Sequence, residues 1–456
     1  MLAPDDSCAC LSQTTRFAPI ASVQRRCALL LLIVLVPGLA QTAGESTAAS
    51  NTGASSVAVL GADLKGLQVQ MVDDAMALGI KHATLNVSLT SLIDLDRHPD
   101  SLRLESGGRT FYFSRGAAQS IPVLPLSQHG VRVYLILLST ATSEPRLNRI
   151  VRPAGAKEAP NGLTGFNVSD EEGRRYFQAC LEFLADRFSR KDARYGRVSG
   201  YIIGNELNSH HEWYNIGPAS TEQVAADYLR AVRIAHAAVR RSSAAARVYI
   251  SLEHNWTARN NPDPLKACPG RDLLDELNRL SKAQGDFDWH IAFHPYPENL
   301  RDPRTWRDKR ALPQADTPKI TFKNIEQLPR YLRRPEMLCH GQPRHVILSE
   351  QGFDTPDKPG GQALQAAGFC YAWVKVSRTE GIDAFILHRH VDNAAEGGLN
   401  LGLWTHKKGT IATPDSKKRI HDVFQAAGTL EWESTFRFAL PIIGIKSWDE
   451  LRSSID

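Results

Sequence analysis

The 456-residue sequence predicts an α/β protein built as a (β/α)8 TIM barrel with extended βα loops at its C-terminal rim. Three observations carry this expectation. Short β-branched or apolar runs recur eight times, segments with a 3.6-residue apolar period separate them, and the long irregular insertions follow the runs rather than precede them. The strands are expected to end near Leu60 (VAVL), Val87 (ATLNV), Leu138 (VRVYLILL), Gly204 (GYIIG), Leu252 (VYISL), Phe293 (WHIAF), Glu350 (HVILSE) and His388 (AFILH). The helical pattern shows in Tyr176, Phe177, Cys180, Leu181, Leu184 and Phe188, and again in Val224, Tyr228, Leu229, Val232 and Ala235. Strands alternating with helices imply a parallel sheet covered by helices, and eight repeats suit a closed barrel better than an open sheet. An open doubly wound sheet is the alternative, but no GxGxxG or GxxxxGKS/T follows a strand, which removes the usual nucleotide-binding loops.

In chain order, residues 1–40 have the layout of an export signal. Arg25-Arg26 precede an apolar run, Cys27 to Val36, and then Pro37-Gly38-Leu39-Ala40. The run is short for a bilayer span. Residues 41–55, rich in Thr, Ala, Ser and Gly, are expected to form a flexible leader. The barrel is assigned to 56–430, its last helix around Ile420, Val423 and Phe424, with a C-terminal tail over 431–456 whose packing the pattern leaves open. The expected location is secreted or periplasmic, with no stable membrane partner once the signal is removed.

Composition narrows the function classes. The formal charge of +5 falls to +4 when Arg16, Arg25, Arg26, Asp5 and Asp6 leave with the signal, and no Lys/Arg cluster of the kind nucleic acid requires is present. Of seven cysteines, Cys8, Cys10 and Cys27 lie in the signal. Cys180 and Cys370 sit in helical patterns and read as buried small apolar residues. Cys268 and Cys339, in Pro-containing loop-like stretches, are the pair expected to bridge in an oxidising compartment. No CxxC unit exists to hold zinc.

The insertions place the chemistry. Residues 89–128, with a hairpin expected around Phe111-Tyr112-Phe113, and residues 139–169 and 295–320 all follow strands. They therefore stand at the rim where barrel enzymes build their sites. Glu206, in Gly204-Asn205-Glu206, follows the fourth strand, and Glu350 ends the seventh in Leu348-Ser349-Glu350. Two carboxylates facing each other across a barrel mouth can flank a glycosidic bond, one giving a proton and the other attacking carbon. A lone rim glutamate is more often a salt-bridged surface group, so the joint placement carries the inference.

With His294-Pro295-Tyr296 after the sixth strand, these residues resemble the clan A (β/α)8 retaining glycoside hydrolases, and most closely secreted bacterial members of that clan. The resemblance implies that Glu206 is the acid/base, Glu350 the nucleophile and Tyr296 a hydrogen-bond partner of Glu350. It also implies that Asn205 binds the 2-hydroxyl of the sugar being cleaved. One departure stands out: many clan members end strand eight with a Trp that floors the cleavage subsite, and this chain reads Leu387-His388-Arg389-His390. Trp404, in the loop beyond, is the candidate replacement.

Further residues expected to contact substrate are Asn86, His294, His254, His388, Trp213 and Trp256, the aromatic ones divided between stacking on sugar and packing loops. Glu253 and Asp392 are additional rim carboxylates. His388-x-His390 raises a His-ligated metal hydrolase as a lesser alternative, although the amidohydrolase-like pattern puts its His-x-His on strand one, where this chain reads Val59-Leu60-Gly61-Ala62-Asp63. The sequence thus points to a retaining glycosidase acting on a poly- or oligosaccharide, with no cofactor and no metal. A catalytically silent carbohydrate-binding barrel is the other rival, since fold does not fix function.

Overall fold

The computed structural model describes residues 59–157 and 159–451. The expected export signal and leader lie outside the described residues. Eight strands form the centre: β1 (Lys65–Gln68), β2 (His82–Ser88), β3 (Arg132–Thr140), β4 (Val198–Ile203), β5 (Arg247–Glu253), β6 (Trp289–His294), β7 (Val346–Leu348) and β8 (Ile382–Leu387). Each pairs in parallel with the next, and β8 pairs with β1, so the sheet closes into a barrel with no free edge. A helix follows every strand: α1 (Val72–Ala77), α2 (Val123–Gln128), α3 (Glu171–Ser189), α4 (Thr221–Ser242), α5 (Gly270–Ala283), α6 (Gln327–Leu332), α7 (Gly361–Ser377) and α8 (Arg419–Ala426). The (β/α)8 architecture expected from the alternating pattern is the one observed.

The apolar runs follow from burial on both faces of the sheet. On β3, Tyr134 and Ile136 point into the barrel, where they meet Ile202, Tyr249, Ala292, Ile347, Ala384 and Ile386. The intervening Val133, Leu135 and Leu137 point outward into the layer beneath the helices. Helix starts obey local chemistry too. Before α4, Ser220 Oγ accepts from Gln223 N at 3.4 Å, and Gln223 Oε1 accepts from Ser220 N at 2.8 Å, a reciprocal cap.

The first strand departs from expectation. It is Lys65-Gly66-Leu67-Gln68, not the VAVL run, of which Val59 and Leu60 are described and lie outside any strand. The strand carries one apolar side chain, Leu67, so it has no periodic signature. Its glycine is forced by packing: a Cβ on Gly66 would stand 2.7 Å from Ile386 Cγ1 and 2.9 Å from His82 Cβ.

The expected Cys268–Cys339 disulfide is absent, and all four described cysteines are free thiols. Cys268 lies just before α5, its N–H bonded to Asn208 O, whereas Cys339 lies in a turn beyond the far end of that helix, paired to Gln342. A helix of this length holds its ends roughly 20 Å apart, far beyond disulfide reach. The hairpin forms as Leu102–Ser106 against Arg109–Phe113, turned by Gly107 and Gly108, both at positive φ. Past α8, helices Trp432–Phe436 and Ala439–Ile443 pack on the barrel's outer layer, with Phe436 and Trp448 buried and Phe436 beside Phe369 of α7. Among the described residues no helix is long and apolar enough to cross a membrane.

Gly66→Ala should therefore destabilise the barrel by about 1–3 kcal/mol through overpacking. A lowered urea unfolding midpoint is the expected result; an unchanged midpoint would mean that the β1–β8 seam is looser than described.

Candidate active site

At the C-terminal ends of the strands lies a cleft of about 1220 Å³, lined by Asn86, Asn205, Glu206, Trp213, Glu253, His254, Tyr296, Glu350 and His388 among others. Glu206 follows β4 through Gly204 and Asn205. It holds a left-handed backbone conformation, φ 42°, uncommon for a residue with a side chain. Its N–H donates to Ser251 Oγ on β5 at 2.9 Å, which pins the turn. Its carboxylate meets His294, the last residue of β6, with Nδ1 2.9 Å from Oε1; the other ring nitrogen lies 3.1 Å from Ser349 Oγ after β7. Glu350, next along, accepts from the Tyr296 hydroxyl at 3.1 Å. One carboxylate oxygen from each of Glu206 and Glu350 and a nitrogen of His294 all lie within 4.8 Å of one another.

The two carboxylates differ in surroundings. Glu206 is 8% exposed, and Glu350 is half-buried. Burial pushes the Glu206 carboxyl up to about 7; the His294 hydrogen bond and charge pull it down, while the negative charges of Glu253 and Glu350 push it further up. Burial works against a charged His294, but the Glu206 bond and the surrounding carboxylates outweigh it, so its pKa is raised. Burial, with the Glu350 charge beside it, lifts Tyr296 well above the ordinary phenol value, keeping its proton available to Glu350.

The other residues singled out in the sequence divide. Asn205 and Trp213 line the cleft, and exposed Asn86 accepts from Gln68 Nε2 at 3.2 Å. His254 and His388 also line it, but both spend their ring nitrogens on protein partners. His254 contacts Tyr296 O at 3.0 Å and Lys319 Nζ at 2.6 Å; His388 contacts Gln68 Oε1, and Glu396 Oε1 at 3.0 Å. Neither ring keeps a nitrogen for a sugar hydroxyl in this arrangement.

Trp256 and Trp404 are corrected. Trp256 is 1% exposed, donates to Ala315 O at 3.0 Å and stands edge-on to Tyr331, so it packs a loop. Trp404 donates to Asp74 at 2.9 Å, away from the cleft lining, and does not replace the strand-eight Trp. Asp392 is buried against Lys418 at 2.9 Å. The His388-x-His390 pair does not converge either. His390 is turned to Asp74 at 2.9 Å and accepts from the Gln70 and Met71 amides. If any metal were held here, the ligands would be Glu206, His294 and Glu350. His294 would then have to exchange its bond to Glu206 or Ser349 for the ion.

Sequence reasoning named His388 but missed the rest of the cleft wall it belongs to. Gln68, His388, Arg389 and Glu396 are bonded in series there, with Glu396 accepting from both His388 and Arg389. Glu396 Oε2 and Arg389 Nε are buried without hydrogen-bond partners. Gln68 was hidden by the misplaced first strand, and Glu396 lies in a Gly-rich loop with no periodic signal.

The buried acid has a consequence for stability. A carboxyl whose pKa rises from 4.5 unfolded to about 7 folded binds its proton more tightly in the native state, so it costs stability as pH rises through that window. Glu206→Gln removes this cost. The variant should gain on wild type by on the order of 2–3 kcal/mol between pH 4 and pH 8 in paired denaturation curves. A pH-independent difference would contradict the buried-acid assignment.

Among solved structures, the chain is similar to a family 39 glycoside hydrolase from the gut symbiont Bacteroides cellulosilyticus WH2, with a TM-score of 0.53 at 12% identity over 82% of this chain. It spans 65% of that structure's length. It is also similar to a hyperthermophilic β-glucosidase from Pyrococcus furiosus, with a TM-score of 0.49 at 15% identity, covering 81% of this chain and 86% of that one. What the family 39 likeness shows is a shared fold. No curated protein matches the sequence. A family profile covers residues 59–451, the full span of the described residues, and the protein belongs to that family, DUF5722, a family of unknown function.

Proposed function

We propose that the protein is a retaining glycoside hydrolase that cleaves a poly- or oligosaccharide by double displacement, with Glu206 as acid/base and Glu350 as nucleophile. The observation that carries this is the pairing of two carboxylates, oxygens within 4.8 Å, in unlike environments. Retaining sites hold their carboxyl groups at ~5–5.5 Å, whereas inverting sites need ~6.5–9.5 Å to admit a water between acid and base.

In the first step a Glu350 oxygen bonds to the anomeric carbon as the bond to the leaving oxygen breaks, and the Glu206 proton passes to that oxygen. In the second, Glu206, now a carboxylate, takes a proton from water as the water oxygen displaces Glu350 from the sugar. A pKa of about 7 suits both duties near neutral pH. In this reading Tyr296, bonded to Glu350, orients it, and Asn205, lining the cleft next to Glu206, binds the 2-hydroxyl. The cleft exceeds a single sugar in volume, which supports an oligomeric substrate. The Arg25-Arg26 and apolar leader supports action outside the cytoplasm.

Glu350→Gln should lower kcat at least about a thousandfold on any hydrolysed glycoside, with the fold kept. Glu206→Gln should cost about 10²–10⁴-fold, and much less on aryl glycosides whose leaving group needs no proton. Equal losses on good and poor leaving groups would overturn the Glu206 role. EDTA should leave turnover unchanged; loss restored by a divalent ion would favour a metal hydrolase using Glu206, His294 and Glu350. Sugar binding without turnover across a broad panel of glycosides would favour the silent barrel.

A further inference from the structure

Glu253, the last residue of β5, is a third buried carboxylate at the barrel mouth, and the double displacement makes no use of it. Its oxygens are fully engaged. Oε1 accepts from Asn208 Nδ2 at 2.6 Å, Ser209 Oγ at 3.0 Å and Asn255 Nδ2 at 2.8 Å, and Oε2 accepts from the Asn255 N–H and Nδ2 at 2.9 Å. Its own N–H donates to Asn208 Oδ1 at 2.9 Å, so both ends of the Asn208 amide are held by one residue.

The residues it grips are the turn that carries the acid/base. The 3₁₀ turn Leu207–Ser209 begins directly after Glu206, whose φ of 42° is a conformation L-residues adopt only when their surroundings impose it. Ser251 holds this turn from one end through the Glu206 N–H, and Glu253 holds it from the other through Asn208 and Ser209.

We propose that Glu253 is a positioning residue for Glu206: its carboxylate fastens the Asn208–Ser209 turn that aims the acid/base into the cleft. This rests on the acid/base role of Glu206 given above. The charge of Glu253 acts in the same direction as the geometry. The titratable groups facing Glu206 are His294 and Tyr296 from the end of β6, Glu350 from β7 and Glu253 from β5. Burial is the chief reason Glu206 keeps its proton, His294 opposes it, and the negative charges of Glu253 and Glu350 add to it. Behind Glu253, His254 Nε2 lies 3.6 Å away and takes Lys319 as its partner, so the Lys319 ammonium stands one imidazole removed.

The test follows the Glu206 carboxyl carbon by ¹³C NMR in glutamate-labelled full-length protein, assigned with Glu206→Gln, alongside the pH profile of kcat/KM. Glu253→Gln should lower the Glu206 midpoint by about one pH unit and bring the alkaline limb of the profile down with it. A residue that only braces the fold would cost activity without moving either. An unmoved midpoint in folded Glu253→Gln overturns the proposal. Ser209→Ala, which removes one bond to Glu253 and keeps its charge, covers the case in which Glu253→Gln does not fold. It should lower kcat several-fold with little change in KM, and wild-type kcat there overturns the proposal too. The NMR midpoint needs no turnover, so a shift in a protein that hydrolyses no glycoside would sink the glycosidase reading while leaving the Glu253–Glu206 coupling in place.

Discussion

Closure of the sheet between β8 and β1 is the constraint on which the site depends. Residues 206, 294 and 350 are far apart in the chain, yet a closed ring of eight parallel strands turns every C-terminal strand end toward one axis. Within that ring β4, β6 and β7 deliver Glu206, His294 and Glu350 to within 4.8 Å of one another. An open sheet of the same strands would set its ends along a line and scatter them. The tight seam at Gly66, with its neighbours Ile386 and His82, is what allows this convergence.

Convergence creates an electrostatic problem, which the second layer of residues resolves. Three carboxylates share one mouth, and burial disfavours charge on Glu206. Glu253 is satisfied entirely by donors from Asn208, Ser209 and Asn255, Glu350 by the Tyr296 hydroxyl in a more open position, and Glu206 by His294 alone. Glu206 combines the deep burial of Glu253 with a single partner, and burial pushes its carboxyl up to about 7. One pair of chemically identical side chains thus meets two unlike environments.

Much of this was legible in the sequence because barrel strands buried on both faces are written as continuous apolar runs. β2 through β8 could be read from ATLNV, VRVYLILL and their successors, and Glu206 and Glu350 came with β4 and β7. β1 could not, since Lys65-Gly66-Leu67-Gln68 is shaped by close packing and a buried lysine stem rather than by periodicity. With it went Gln68 and the wall it joins to His388 and Glu396. The aromatic residues misled for a different reason. Trp256 and Trp404 follow strands, as stacking residues do, but their indole N–H groups find Ala315 O and Asp74 inside the protein, and pattern alone does not reveal a partner. The cysteine pairing failed likewise: loop-like surroundings do not disclose that a whole helix stands between Cys268 and Cys339.

The central claim, that Glu206 and Glu350 act as a double-displacement pair, is tested most directly by the configuration of the first-formed sugar. Proton NMR of an early hydrolysis, recorded before mutarotation, reads the anomeric centre of the product. Carboxylates this close lack the wider spacing that lets an attacking water sit beside the bound sugar, so the anomeric configuration of the substrate should be kept. An inverted product would contradict the assignment of Glu350 as nucleophile.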